Sequence, residues 1–299
     1  MTKQLAYFAA IGALLILAPL SVSAIDPIDD GCPNEPISDF ESFKIANPTA
    51  IPDLRAVVPD HIGIQNQKIV NEDGTVNQEW LRFSNGIADT GLGDWRMVPL
   101  GPATPDALAQ DTRQHFINSD GDCVGFLETG SFVYHPEHHH WHMKDVVEFS
   151  VRKAANNGPD MSDNGIVGIS ENKVTFCIED VYNMIGNTKT AERIYWDCAT
   201  SLQGIQAGWS DQYHQSREGN EVPIDNLEND VDYYLVHHVN FAGLYGELDE
   251  SNNIAWQKFQ VTDDGNGNRK LVLLENSCSL VEDEYYGFAL CAGKTLNRG

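Results

Sequence analysis

Half of the ten histidines fall in one short segment, His135-Pro136-Glu137-His138-His139-His140-Trp141-His142. His138, His140 and His142 stand at i, i+2 and i+4, so an extended backbone turns their side chains to one face and those of His139 and Trp141 to the other. Three converging neutral imidazoles suit copper, zinc, iron or nickel, and they leave positions open for water, oxygen or substrate, as a catalytic metal needs. The spacing does not choose among these metals. Other templates for the same residue types fail: there is no H-E-x-x-H, and His135-Pro136-Glu137 matches the start of a zinc-deaminase motif without its P-C-x-x-C partner. An iron site of two histidines and a carboxylate, with Asp145 or Glu148 as third ligand, stays open.

The elements that must hold these side chains read as short strands. Ile62 to Val70, Trp80 to Ile87, Val146 to Val151, Lys173 to Ile178, Tyr233 to Phe241 and Ile254 to Val261 are brief apolar or alternating stretches rich in β-branched and aromatic residues. Asp263-Asp264-Gly265-Asn266-Gly267-Asn268 reads as a tight turn into Lys270 to Leu274, which makes the last pair a hairpin. No stretch sustains a helical period. Many short strands with Gly, Asn and Asp between them predict an all-β fold, a β-sandwich core whose long loops carry the metal and cofactor site. Residues 25–50, with Pro27, Pro33, Pro36 and Pro48, read as a Pro/Asp-rich linker or N-terminal arm ahead of a domain over 51–299.

With the histidine segment in view, the chain resembles the lysyl oxidases, copper- and quinone-dependent amine oxidases whose ligands form an H-x-H-x-H stretch. Three further segments carry the resemblance in the same order. Lys173-Val174-Thr175-Phe176-Cys177-Ile178-Glu179-Asp180 is similar to the family's K-A-S-F-C-L-E-D. Gly204-Ile205-Gln206-Ala207-Gly208-Trp209-Ser210-Asp211-Gln212-Tyr213 resembles its G-[LI]-S-P-G-x-x-D-x-Y, and Glu247-Leu248-Asp249-Glu250-Ser251-Asn252-Asn253 its E-S-D-Y-T-N-N. The family's P-D-L recurs at Pro52-Asp53-Leu54. The resemblance implies copper on His138, His140 and His142, and a lysine tyrosylquinone made from Lys173 and Tyr213. It also implies structural calcium on Asp53, the Leu54 carbonyl, Glu247, Asp249, Asn252 and Asn253, a set of hard oxygen donors of the kind calcium takes. The activity implied is oxidation of a primary amine, free or on the lysines of a protein, to an aldehyde, with molecular oxygen reduced to peroxide and ammonia released. Asp211, two residues before Tyr213, is the candidate base, and a carboxylate there could equally serve to accept hydrogen bonds from its loop. His214 stands where the family usually has glycine, so the substrate pocket is expected to differ.

Composition narrows the partners. The 44 Asp and Glu against 19 Lys and Arg give a formal net charge of −25, which repels nucleic acid and anionic membranes and attracts cationic amines. Such steering is screened by salt, so kcat/KM for amines is expected to fall as ionic strength rises; an unchanged value would leave the acidity without a catalytic role. Lys3, the apolar run Leu5 to Leu20 and Ser21-Val22-Ser23-Ala24 read as a signal peptide over residues 1–24, which implies a secreted protein with no membrane anchor after cleavage. The six cysteines contain no C-x-x-C and read as disulfide staples of an exported chain. Two other classes fit less of the sequence: a non-haem iron oxygenase on a jelly-roll fold, and a non-catalytic secreted metal-binding module. Neither would form a quinone.

Overall fold

A computed structural model of the chain describes residues 31–71, 74–101, 109–136, 139–170, 175–184, 192–198, 202–280 and 290–291. The signal segment, the start of the arm, His138 and Lys173 lie outside the described residues. The strands are, in chain order, β1 (Leu54–Ala56), β2 (Asp60–Asn71), β3 (Gly74–Asp89), β4 (Trp95–Pro99), β5 (Ala109–Ile117), β6 (Cys123–His135), β7 (His140–Met143), β8 (Val147–Ala155), β9 (Gly158–Pro159), β10 (Ile166–Ile169), β11 (Tyr182–Asn183), β12 (Gln203–Ile205), β13 (Trp209–Tyr213), β14 (Glu221–Pro223), β15 (Tyr233–Val239), β16 (Ile254–Asp263) and β17 (Arg269–Asn276).

The fold is all-β, as the short alternating stretches predict. Two six-stranded sheets and one five-stranded sheet are built from antiparallel pairs. β3 is the hub of the first: its N-terminal part pairs with β2 and β14, and its C-terminal part with β1 and β13. β8, β15, β16 and β17 run side by side in the second, and β12, β4, β5, β6 and β7 form the third. The hairpin read at Asp263 to Asn268 joins β16 to β17 in register from Asp263 opposite Arg269.

Burial follows the side-chain period of two. In β4, Trp95 and Met97 are fully buried while Arg96 and Val98 between them are only partly so. β15 is buried on both faces because β8 and β16 flank it and other elements cover it, which explains its near-continuous apolar run. Its odd-numbered residues Tyr233, Leu235 and Val239 enter the main core, and Tyr234 and Val236 meet Trp256 on the other side. Across the core, Phe83 of β3 meets Phe149 of β8 edge to face with ring centroids 4.9 Å apart. A buried aromatic of this kind contributes about 3–5 kcal/mol relative to alanine.

Two expected elements differ. The described part of 25–50 contains a seven-residue helix, Phe40–Ala46, capped by Asp39 through the Ser42 amide. Phe40 and Phe43 pack on Phe116 at 5.4 and 5.3 Å, and the Cys32–Cys123 disulfide ties the segment to β6. The stretch expected as a strand from Lys173 to Ile178 shows, among its described residues, only one bridge, between Phe176 and Met143. The Ile178 amide is taken by the Gln203 side chain at 3.0 Å, which ends the ladder there. A second disulfide joins Cys177 to Cys198, and Cys278 Sγ lies 3.4 Å from the Cys291 carbonyl oxygen. Among the described residues no helix is long and apolar enough to cross a membrane.

Candidate metal and cofactor site

β6 and β7 form the hairpin that presents the histidines. His135 pairs with His140 across it, and His139 turns the chain with a φ of 58° while its amide donates to the His135 carbonyl at 2.9 Å. Trp141 is drawn into the core beside Tyr134, and strand alternation then places His140 and His142 together on the other face. Their Nε2 atoms lie 2.8 Å apart. His142 is buried, and its Nδ1 lies 3.2 Å from Thr175 Oγ1, which leaves Nε2 directed at His140. The His135 ring also packs against His142, with centroids 5.0 Å apart. Spacing along one strand did not single out His135; the hairpin register, which sets it opposite His140, could have.

Two neutral imidazoles that both point lone pairs into such a contact repel each other, so a proton on one nitrogen or a shared cation is needed to hold it. The 2.8 Å distance fits either one. Two imidazole nitrogens with a carboxylate in the same cavity form a donor set that several divalent metals accept.

Two other segments close around the hairpin. Residues 175–180 lie along β7 through the reciprocal Met143 and Phe176 amide bonds at 2.6 and 2.9 Å. Asp180, fully buried, accepts from the Gln206 amide at 2.8 Å and from the Ile194 and Tyr195 amides at 3.0 Å, so one carboxylate fixes the loops on both sides of the site. Gly208, at φ 81°, makes the turn that starts β13, a conformation that strains any residue with a Cβ. β13 then carries Asp211 and Tyr213 on one face.

His140, His142, Cys177, Glu179, Asp211, Tyr213, His214 and Arg217 line one cavity of about 240 Å3. The Tyr213 hydroxyl donates to the Cys177 carbonyl, and its ring stands edge-on to Phe176 at 4.7 Å. Burial, then the charge of the neighbouring Asp211, push the Tyr213 phenol well above its ordinary range. Asp211 is itself buried. Burial likewise raises Glu179, against the opposing charge of Arg193 at 3.2 Å. Asp145 and Glu148, read as possible third ligands of an iron site, do not line the cavity. Asp145 sits 3.6 Å from the Lys144 ammonium and Glu148 2.9 Å from Arg152.

The residues expected to hold calcium also meet, although Asp53 and Asn253 are far apart in sequence. Glu247, buried, accepts from the Leu54 amide at 3.0 Å and from Asn253 Nδ2 at 2.7 Å; Asp53 accepts from the Asp249 amide at 3.1 Å and from Asn252 Nδ2 at 3.2 Å. Burial pushes Glu247 up to about 7. The Oδ1 atoms of Asn252 and Asn253 are buried and accept no hydrogen bond from the described residues. Amide hydrogens thus occupy the place of a cation between carboxylates, and turning either amide by half a revolution would offer an oxygen instead. The donor set fits a hard cation. Asp249 departs from it: it is exposed, and its carboxylate caps the turn that follows by accepting from the Ser251 amide at 2.9 Å.

Two further groups of potential ligand atoms converge within 4.8 Å, Cys32 with His115 and Cys123, and Cys177 with Glu179 and Cys198. In each, the two sulfurs are joined in a disulfide and present no thiolate. The chain matches no family model, and no curated protein matches it.

Proposed function

We propose that the protein is a secreted copper-dependent amine oxidase of the lysyl-oxidase type, which converts a primary amine, oxygen and water into an aldehyde, ammonia and hydrogen peroxide. The observation that carries this reading is the 2.8 Å approach of His140 and His142 Nε2 in a cavity shared with Asp211 and Tyr213. Copper would be held by His140 and His142, with His138 as the third ligand that the sequence motif implies. Copper and a quinone derived from Tyr213 and Lys173 would supply the carbonyl and oxygen chemistry that unmodified side chains lack.

The chain's own groups do the rest. Thr175 fixes the ring of His142. The Cys177 carbonyl holds the Tyr213 oxygen, and Phe176 holds its ring edge-on, so Tyr213 keeps one orientation beside the histidines. Asp211, a buried carboxylate on the same face of β13, is the group that would accept a proton from the carbon bearing the amine. Two disulfides agree with an oxidising compartment outside the cytosol. Buried oxygens at Asn252 and Asn253 support calcium as a structural partner.

The test is to load the protein with copper in air and measure intact and peptide masses together with reaction with a hydrazine. A Lys173–Tyr213 cross-link and a coloured adduct that is lost in Tyr213→Phe are expected. Absence of both from copper-loaded, oxygen-exposed protein overturns the reading.

A further inference from the structure

Arg217 lines the same cavity and differs from most of the arginines among the described residues. Arg82, Arg113, Arg152, Arg193 and Arg269 each lie 2.6–3.2 Å from a carboxylate oxygen. Among the described residues the Arg217 guanidinium meets no carboxylate and no other acceptor, although its backbone is held. Its amide donates to the His214 carbonyl at 2.9 Å, and its own carbonyl accepts from Arg82 Nη2 at 2.7 Å. The turn is therefore fixed while the side chain stands exposed at the rim. Its charge is felt inside: burial raises both Glu179 and Tyr213, and Arg217 opposes the rise in each.

A plain alkylammonium entering this cavity passes the like charge of Arg217 at the rim before it reaches the carboxylates Glu179 and Asp211. An amine that also carries a carboxylate reverses the sign of that encounter, because the guanidinium fork accepts a carboxylate through two parallel hydrogen bonds. Val181, 37% exposed on the same wall, offers apolar surface to the methylenes between the two ends. We infer that Arg217 is a specificity determinant that binds a carboxylate on the amine substrate, so that amino carboxylates, or lysines beside an acidic residue, are preferred over plain alkylamines. This rests on the amine-oxidase reading for the word substrate; the carboxylate site does not.

The experiment separates the two. Hexanoate, which has no amine to oxidise, is titrated by calorimetry or NMR into wild-type, Arg217→Gln and Arg217→Lys protein, with hexanol as the uncharged control. Hexanoate is expected to bind wild type about fivefold more tightly than R217Q, the size of one partly exposed ion pair, with R217K between them and hexanol indifferent. In turnover, the ratio of kcat/KM for 6-aminohexanoate over hexylamine should fall by a similar factor in R217Q. An Asp-Lys peptide compared with its Asn-Lys counterpart shows whether a neighbouring side chain can supply the carboxylate. Equal hexanoate binding by wild type and R217Q overturns the inference, whether or not any amine is oxidised; Arg217-dependent binding without oxidation sinks the oxidase reading and leaves the carboxylate site standing.

Discussion

Thr175 illustrates how much of the site depends on groups that touch no substrate. Its hydroxyl meets Nδ1 of His142, and that contact is what leaves Nε2 facing His140. Partners of this kind fix the tautomer and orientation of a ligating imidazole and are typically worth about 10–100-fold in metal affinity. Thr175→Val keeps the shape and removes the acceptor. Its copper affinity, measured by competition with a chelator, is expected to drop about tenfold with the thermal midpoint little changed; an unchanged affinity would mean that strand packing alone orients His142. The same local view explains Tyr213. Its phenol is shielded from ionisation by burial and by Asp211, so at neutral pH the chain presents a neutral phenol whose proton goes to the Cys177 carbonyl.

At the scale of the element, β15 places an ionisable group where only apolar ones are expected. His237 is fully buried, meets the Phe149 ring in a tilted contact at 4.8 Å, and has its Nδ1 3.1 Å from the Val57 carbonyl. Burial pushes it down to about 4, against a smaller upward pull from that carbonyl. A histidine depressed in the folded state adds stability that is complete above its unfolded value near 6.5 and is lost as pH falls through 4. The full contribution is about 3 kcal/mol. Urea unfolding of wild type should therefore weaken between pH 7 and pH 4 by more than that of His237→Gln, which keeps a donor for Val57 and does not titrate. Parallel pH profiles for the two proteins would show that His237 is not the group responsible.

At the scale of the whole molecule, the Asp53 and Glu247 cluster bolts the start of the domain to the segment before β16. Both carboxylates are satisfied by amide hydrogens, while two asparagine oxygens find no partner among the described residues. A cation that reverses this arrangement binds only the folded chain and so stabilises it, by about 2.7 kcal/mol at a hundredfold excess over its dissociation constant. Calcium added to chelator-treated protein is expected to raise the melting temperature by several degrees, and Glu247→Gln should abolish most of the rise. Identical melting with calcium and with chelator would assign the cluster to hydrogen bonding alone. The same scale bears on substrate: the net charge of −25 draws cations toward the molecule, whereas Arg217 acts only at the mouth of the cavity.

The sequence alone determined the strand-rich architecture, because side-chain alternation and turn residues are local signals. They gave β3, β15, β16 and the last hairpin with ends displaced by a few residues. It determined that His140 and His142 share a face, since that follows from a period of two. It did not determine that Asp180 would clamp two loops, that His135 would join the histidines, or that Arg217 would meet no carboxylate among the described residues. Each depends on segments brought together from elsewhere in the chain, and no spacing encodes such contacts. The arm over 25–50 shows the reverse case: prolines and aspartates suggested a linker, while Phe40 and Phe43 found an apolar partner in Phe116 only once β5 was in place. Asp145 and Glu148 look like ligands in sequence because they follow the histidines closely. Tertiary structure gives them to Lys144 and Arg152 and brings Glu179 and Asp211 into the cavity instead, because the fold fixes which carboxylates can face the same cavity.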